Sequence, residues 1–178
     1  MKSTNEPRLC RPQMDDAAPL LAFELGNRAY FEQWINARAA SYYSIEGVAQ
    51  AIEAAQRDSR ADLAHQFLVK VGADIVGRVN LTALERTYYN KALLGYRIGA
   101  DFGGRGYASK AVQLALREGF DKLGLWRIEA SVRALNPASI RVVERNGFSR
   151  FGSTRHSMLL HGAWYDVHHF ECRRDERA

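Results

Sequence analysis

Residues 101–123 read DFGGRGYASKAVQLALREGFDKL. Gly103, Gly104 and Gly106 crowd around Arg105. The apolar residues Ala108, Ala111, Val112, Ala115, Leu116, Phe120 and Leu123 then recur every three or four positions. That period predicts a helix with one buried face. The first N–H groups of a helix lack intrahelical partners, and the macrodipole adds positive potential there. Glycines let an anion approach those donors without a Cβ in the way. The stretch therefore reads as a phosphate cradle.

Working outward, Trp126, Ile128, Ala130 and Val132 alternate with Arg127, Glu129, Ser131 and Arg133, a strand pattern. Ala92 to Gly99 reads as the strand before the cradle. A helix between two strands is a crossover, so these two strands can lie parallel. Asn136-Pro137 opens a short helix and Gly147 ends it, with Phe148 following. Two long strands, about 149–160 and 163–172, meet at His161-Gly162. Upstream, Phe67, Val69 and Val71, then Ile75, Gly77, Val79 and Leu81, form a hairpin about Gly72-Ala73-Asp74.

The front third reads as a short strand at 7–12 and three helical pieces. One is capped by Asp15 or Asp16 and ends near Gly26-Asn27. A second runs from Tyr30 to Ala40, and a third is opened by Ser44. Gly47 leaves the Ser44 capping box incomplete. Phe23, Tyr30, Phe31, Trp34, Tyr42 and Tyr43 fit a core at this spacing, with a minority left to line a cleft. The expected architecture is a mixed, mostly antiparallel α/β sheet of six to seven strands. Helices cover both faces, and one pair of strands is parallel.

At 178 residues the chain suits one domain, taken as 1–178. No apolar run reaches the ~18 residues of a membrane span. MKSTNEPRLC lacks a signal-peptide core, and Cys10 and Cys172 are too few for a disulfide framework. These features imply a cytoplasmic protein. The net charge of +5 is spread without a basic block. A phosphate-bearing ligand explains it as well as nucleic acid does, and an ordinary basic surface explains it equally.

Five segments in order carry a resemblance: GYRIG (95–99), FGGRGYASKAV (102–112), LGLWRIEASV (123–132), NPASIRVVERNGF (136–148) and GAWYD (162–166). Together they resemble the GNAT superfamily of acetyl-CoA-dependent N-acetyltransferases, most closely the ribosomal-protein-alanine acetyltransferases of the RimJ/RimL type. The resemblance implies a GNAT-like sheet whose parallel strands, 92–99 and 126–133, splay around acetyl-CoA. It implies that Gly103, Gly104, Arg105, Gly106, Tyr107, Ala108 and Ser109 surround the pyrophosphate. Backbone at Tyr96, Arg97 and Ile98 would pair with pantetheine, and an N–H near Ile98 would hold the thioester oxygen. Asn136 matches a pantetheine contact, and Ser139 a hydrogen bond to the leaving sulfur. On the residues alone, Asn136 is equally a helix cap and Ser139 a surface residue.

The sequence departs from the superfamily pattern at Gly103, where a glutamine or arginine is usual. It departs again where acid or base groups often stand: Val143, Leu93 and Met158. Glu129 is the candidate base, against a reading as a strand residue paired with arginine; Glu85, Tyr88, His156 and Asp166 are weaker. An α-amine, with an ordinary pKa of about 7.7–8.0, needs less help than a lysine at about 10.4. The expected reaction is thus direct acetyl transfer to a primary amine, favouring a protein N-terminus of ribosomal-protein kind. Alternatives are a small amine (polyamine, amine antibiotic or aminoacyl nucleotide) and a non-catalytic acyl-CoA-binding regulatory module. No metal is expected, because His168 and His169 are strand neighbours that point to opposite faces. The closing hairpin offers a surface for a homodimer.

Overall fold

The computed structural model describes residues 6–176. Seven strands form one sheet in the order β1-β2-β3-β4-β5-β7-β6. They are β1 (Arg8–Cys10), β2 (His65–Val71), β3 (Asp74–Glu85), β4 (Lys91–Ile98), β5 (Arg127–Arg133), β6 (Ser149–Leu160) and β7 (Ala163–Arg173). Every neighbouring pair is antiparallel except β4 and β5. The expected mixed sheet with a single parallel pair is what the chain forms.

Among the described residues, four α-helices cover the sheet: α1 (Ala17–Glu32), α2 (Ile45–Arg60), α3 (Tyr107–Arg117) and α4 (Pro137–Arg145). Alternation along the strands divides the core in two. Phe67 and Val69 join Ala111, Val112, Ala115, Leu116 and Val143 under α3 and α4. Leu68, between them, joins Leu20, Phe23, Val48 and Ile52 under α1 and α2. The period of two in β2 thus feeds both layers. Gly119 permits the close seat behind α3, since a Cβ there would lie 2.5 Å from Ile128 Cδ1.

The front of the chain departs from expectation. α1 does not stop at Gly26-Asn27 but runs on to Glu32. Gly26 faces open space, so its cost is only that of intrinsic propensity, about 1 kcal/mol. Asn27 earns its place sideways: its Nδ2 donates to Phe23 O at 2.9 Å and its Oδ1 accepts Ala100 N–H at 2.8 Å. The separate helix over 30–40 is absent. Tyr30 and Phe31 finish α1, and an irregular segment leads to a 3-10 turn at Ala40–Tyr42. Asp16 does not cap α1 with its side chain. Its carboxylate instead accepts Gln13 N–H at 3.0 Å, around a 3-10 turn at Met14–Asp16.

Ser44 does cap α2, accepting Gly47 N–H at 2.9 Å. Gly47 is required there, because a Cβ would fall 2.1 Å from Ser41 O. That crowding explains why no glutamate completes the capping box. Gly147, at φ 83, closes α4 in the left-handed position that favours glycine. β3 is longer than its alternation suggested and runs to Glu85.

Candidate active site

The site begins where the parallel pair stops pairing. β4 and β5 are in register from Lys91↔Arg127 to Leu94↔Ala130, yet β4 continues to Ile98 and β5 to Arg133. Beyond Leu94 the two strands diverge. Gly99 N–H bonds Val76 O at 2.9 Å across the β3 side. Backbone groups alternate along a strand, so the N–H groups of Ile98 and Tyr96 point into the gap, while those of Arg97 face β3. An unpaired edge of this kind is a template for another strand-like amide chain. Of the three residues expected to meet pantetheine, Tyr96 and Ile98 present backbone there. Arg97 does not, and its side chain does something else.

The glycine turn leads from the open end of this gap into α3. Gly104 and Gly106 adopt φ 73 and 77, and nothing lies within 4 Å of a Cβ built on either. Gly103 has φ −61, which any residue adopts, so glycine is not demanded there. Gly106 is the N-cap, and the first intrahelical bond runs from Lys110 N–H to Gly106 O at 3.0 Å. The N–H groups of Tyr107, Ala108 and Ser109 are therefore free of helical partners. Ser109 Oγ accepts from Asn146 Nδ2 at 3.1 Å, tying the end of α4 to the start of α3. Arg105 is exposed, with its guanidinium 5.8 Å from the Phe102 ring.

α4 forms the far wall. Asn136 Oδ1 accepts Ser139 N–H at 3.0 Å, which occupies the oxygen and leaves the amide N–H₂ as donor. Tyr96 reaches from β4 to α4, its hydroxyl 2.7 Å from Ser139 Oγ and 3.2 Å from Ser139 O. Burial pushes the Tyr96 phenol up to about 12, against a lesser opposing effect of the Ser139 hydrogen bond. The phenol is thus a neutral hydrogen-bond donor at any physiological pH.

The acid and base candidates raised by the sequence are engaged or placed as follows. Glu129 bridges Arg127 at 2.6 Å and Lys91 at 3.4 Å, and across the parallel pair it lies opposite Leu93. Val143 is sealed in the core. Met158 pairs with Tyr165 in the hairpin. Glu85 pairs with Lys91 at 3.3 Å, and Tyr88 is 90% exposed. Asp166 accepts His156 N–H at 2.9 Å, holding an irregularity of β6 where His156 takes φ 46. His168 meets Ser153 at 2.8 Å, while His169 meets Ser131 and Thr154.

The structure adds a cluster that sequence reasoning missed, on the opposite face of β4. Arg78 and Arg97 are direct cross-strand partners. Glu24, 1% exposed on α1, binds both: Arg78 Nη1 lies 2.9 Å from Glu24 Oε1, and Arg97 Nη2 donates to the same oxygen. Arg78 also donates to Tyr42 Oη at 3.0 Å and Gln66 Oε1 at 2.9 Å. Burial opposes ionisation of Glu24, but Arg97 and Arg78 outweigh it and hold the carboxyl below its usual value. A carboxylate so stabilised is a poor general base. Burial pulls Arg97 down to about 10, with Glu24 opposing. The signal was present in the sequence: Glu24 falls on the buried stripe of α1, four residues after Leu20.

The irregular segment after α1 walls this side. Asn36 Nδ2 donates to Leu159 O at 3.3 Å, and His161 Nε2 lies 2.6 Å from Glu32 O. Arg133, at the end of β5, lies between the Trp34 and Tyr165 rings at 4.9 and 4.7 Å. The tip of the β6–β7 hairpin is thereby fastened to the α1–α2 connection.

Comparison with known proteins gives this geometry a context. The family model described as "Acetyltransferase (GNAT) domain" matches residues 8–149. The probable N-acetyltransferase YjcK of Bacillus subtilis is 33% identical over 156 residues, covering 86% of each chain. The ribosomal-protein-S5-alanine acetyltransferase of Vibrio fischeri superposes with a TM-score of 0.91 at 23% identity, covering 98% of this chain and 96% of that one. RimJ of Mycobacterium smegmatis, solved in complex with CoA-disulfide, gives 0.90 at 22% identity, with 98% and 85% covered. At these identities the two structures speak to fold alone.

Proposed function

Because the chain belongs to the GNAT acetyltransferase family, we propose that it moves acetyl from acetyl-CoA to a primary amine, preferentially the α-amine of a protein N-terminus. The observation that carries this reading is the divergence of β4 from β5 after Leu94, opening toward the turn at Gly104–Gly106. In this reading pantetheine lies along the free edge of β4, and the pyrophosphate sits on the N–H groups of Tyr107, Ala108 and Ser109. The thioester then lies toward the closed end of the gap. That favours Tyr96 N–H over Ile98 N–H as the donor to the oxyanion.

The neutral amine attacks the thioester carbon, forming the C–N bond. The C–S bond then breaks and the sulfur leaves as thiolate, while the nitrogen gives up its proton to water or sulfur. A thiolate whose conjugate acid has an ordinary pKa near 8.5 does not take a proton outright from a phenol held near 12. Ser139 and Tyr96 therefore stabilise the departing sulfur by hydrogen bonding and do not supply its proton. With Glu129 committed to Lys91 and Arg127, the amine must arrive largely neutral. This favours an α-amine over a lysine.

The same reading takes residues 1–178 as one catalytic domain, acting in the cytoplasm, with the closing hairpin as a dimer surface. A thiol-release assay with acetyl-CoA against N-terminal peptides, polyamines and amine antibiotics tests it. Turnover is expected with peptides. Turnover with polyamines or antibiotics alone would move the assignment to small amines. Acetyl-CoA binding without turnover on any amine would make the protein a regulatory acyl-CoA binder.

A further inference from the structure

The buried cluster under β4 has more positive charge than its partners neutralise. Arg78 and Arg97 face each other across two strands, an arrangement that repels unless a counter-charge intervenes. One carboxylate, Glu24, serves both. A third guanidinium, Arg38, stacks 4.3 Å from the Tyr42 ring and adds its field to Glu24. Three cations thus gather around one anion. The hydrogen-bond count agrees: the buried Nε groups of Arg38 and Arg78 have no partner among the described residues. An unpaired buried guanidinium N–H is costly, so these groups call for a further acceptor.

The cluster's place in the fold indicates which molecule supplies that acceptor. Arg97 immediately follows Tyr96, whose N–H faces the gap, but its side chain lies on the face covered by α1 and α2. The α3–α4 face holds the glycine cradle, which leaves the α1–α2 face for the acceptor. Arg38 lies in the irregular segment 33–39, which also forms the wall against Leu159.

We propose that Arg38, Arg78 and Arg97 form an anion subsite that selects acceptors carrying a carboxylate one or two residues beyond the acetylated amine. This rests on the amine-acetyltransferase reading above and names the class of its acceptor. An extended chain advances about 3.3–3.6 Å per residue, so an acidic side chain at position two or three lies one or two such steps beyond the amine, and Arg97 stands three residues along β4 from Leu94, where the gap closes. Glu24 holds Arg78 and Arg97 in place but leaves the excess charge for the ligand. A polycationic acceptor meets repulsion at the same spot, so polyamines are poor substrates.

The experiment compares pentapeptides that begin Ala-Glu-Glu, Ala-Gln-Gln and Ala-Lys-Lys, by thiol release and by calorimetric binding of their N-acetylated forms. Charge-assisted hydrogen bonds predict that the acidic peptide exceeds the neutral one by about 10- to 100-fold in kcat/KM, with the lysine peptide weakest. Arg38→Gln, in an irregular segment and outside the Glu24 clamp, should erase most of that preference while leaving CoA affinity unchanged. Equal binding of the acidic and basic acetyl-peptides overturns the subsite whether or not turnover is seen. A preference that survives Arg38→Gln intact overturns it too. If CoA binds and the acidic acetyl-peptide binds selectively but no amine is acetylated, the subsite stands and the enzymatic reading falls.

Discussion

The two faces of the sheet are built from different materials. On the α3–α4 face the candidate donor site is mostly backbone: a free strand edge, two glycines at positive φ and the first N–H groups of a helix. On the α1–α2 face the corresponding region is side chains: Glu24, Tyr42, Arg78 and Arg97, drawn from α1, the connector, β3 and β4. A backbone site is generic and suits a cofactor that never changes. A side-chain site depends on the identity of every residue in it, so a single substitution changes its charge balance. The difference also sets what each face risks on mutation. Damage to the first should cost ligand and spare the fold, whereas damage to the second should cost the fold.

Glu24→Ala gives the largest effect. It leaves Arg78, 6% exposed, and the partly buried Arg97 without their shared carboxylate on facing strands. Removing one partner of a buried ion pair costs about 3–5 kcal/mol. For a chain of this length that lowers Tm by roughly 6–20 °C. Thermal melts followed by circular dichroism read it directly. The double variant Glu24→Ala/Arg97→Leu separates charge from packing. It should recover part of the loss if stranded charge is the cause, and none if lost packing of Glu24 is.

Gly106→Val tests the other face. A β-branched residue at φ 77 is strained by about 1–3 kcal/mol, and the strain reorients the N–H groups that follow. Nothing stands within 4 Å of the new Cβ, so the core is untouched. We expect CoA affinity to fall by about 100-fold, measured by calorimetry, with Tm lowered only by the local strain. Gly103→Ala is the matched control, since φ −61 suits alanine and its Cβ lies 3.3 Å from Ala100 O. Unchanged affinity in Gly106→Val would remove the turn from the cofactor site.

What was legible in the sequence follows the same division. The cradle, the crossover from β4 to β5, the Asn136 cap and the Gly147 stop are encoded within a few residues of chain, and local rules reach them. The course of α1 was not legible that way. Gly26-Asn27 carries a helix-end signal, but tertiary bonds from Asn27 to Phe23 and Ala100 override it. The Arg78–Arg97–Glu24 cluster depends on strand register and on which face of α1 meets the sheet. Glu24 could have been flagged as a charge on an apolar stripe, but its partners could not be named. The commitment of Glu129 to Lys91 and Arg127 needed the parallel register, which places Leu93 beside it.

A smaller charge cluster gives the least of these effects and separates exposed from buried electrostatics. Asp62, just past α2, receives Arg86 Nε at 2.6 Å and Nη2 at 2.9 Å, and His65 Nε2 at 2.8 Å. The Arg86 hydrogen bonds lead, and the carboxyl falls from 3.8 to about 2 despite partial desolvation. A group whose folded pKa is depressed stabilises the fold above its unfolded pKa. That contribution is full above about pH 4 and drains away as the pH falls toward 2. The Asp62 side chain is 42% exposed, so solvent screening discounts the shift and leaves about 1 kcal/mol or less. Asp62→Asn keeps a residue type that tolerates the φ of 55 here while removing the charge. It should lower Tm by a few degrees at pH 7, and the gap from wild type should close on acidification through the pH 4–2 window. A gap that stays constant with pH would mean that Asp62 acts by shape and not through its charge, in contrast to the charge role assigned to Glu24 in the buried cluster.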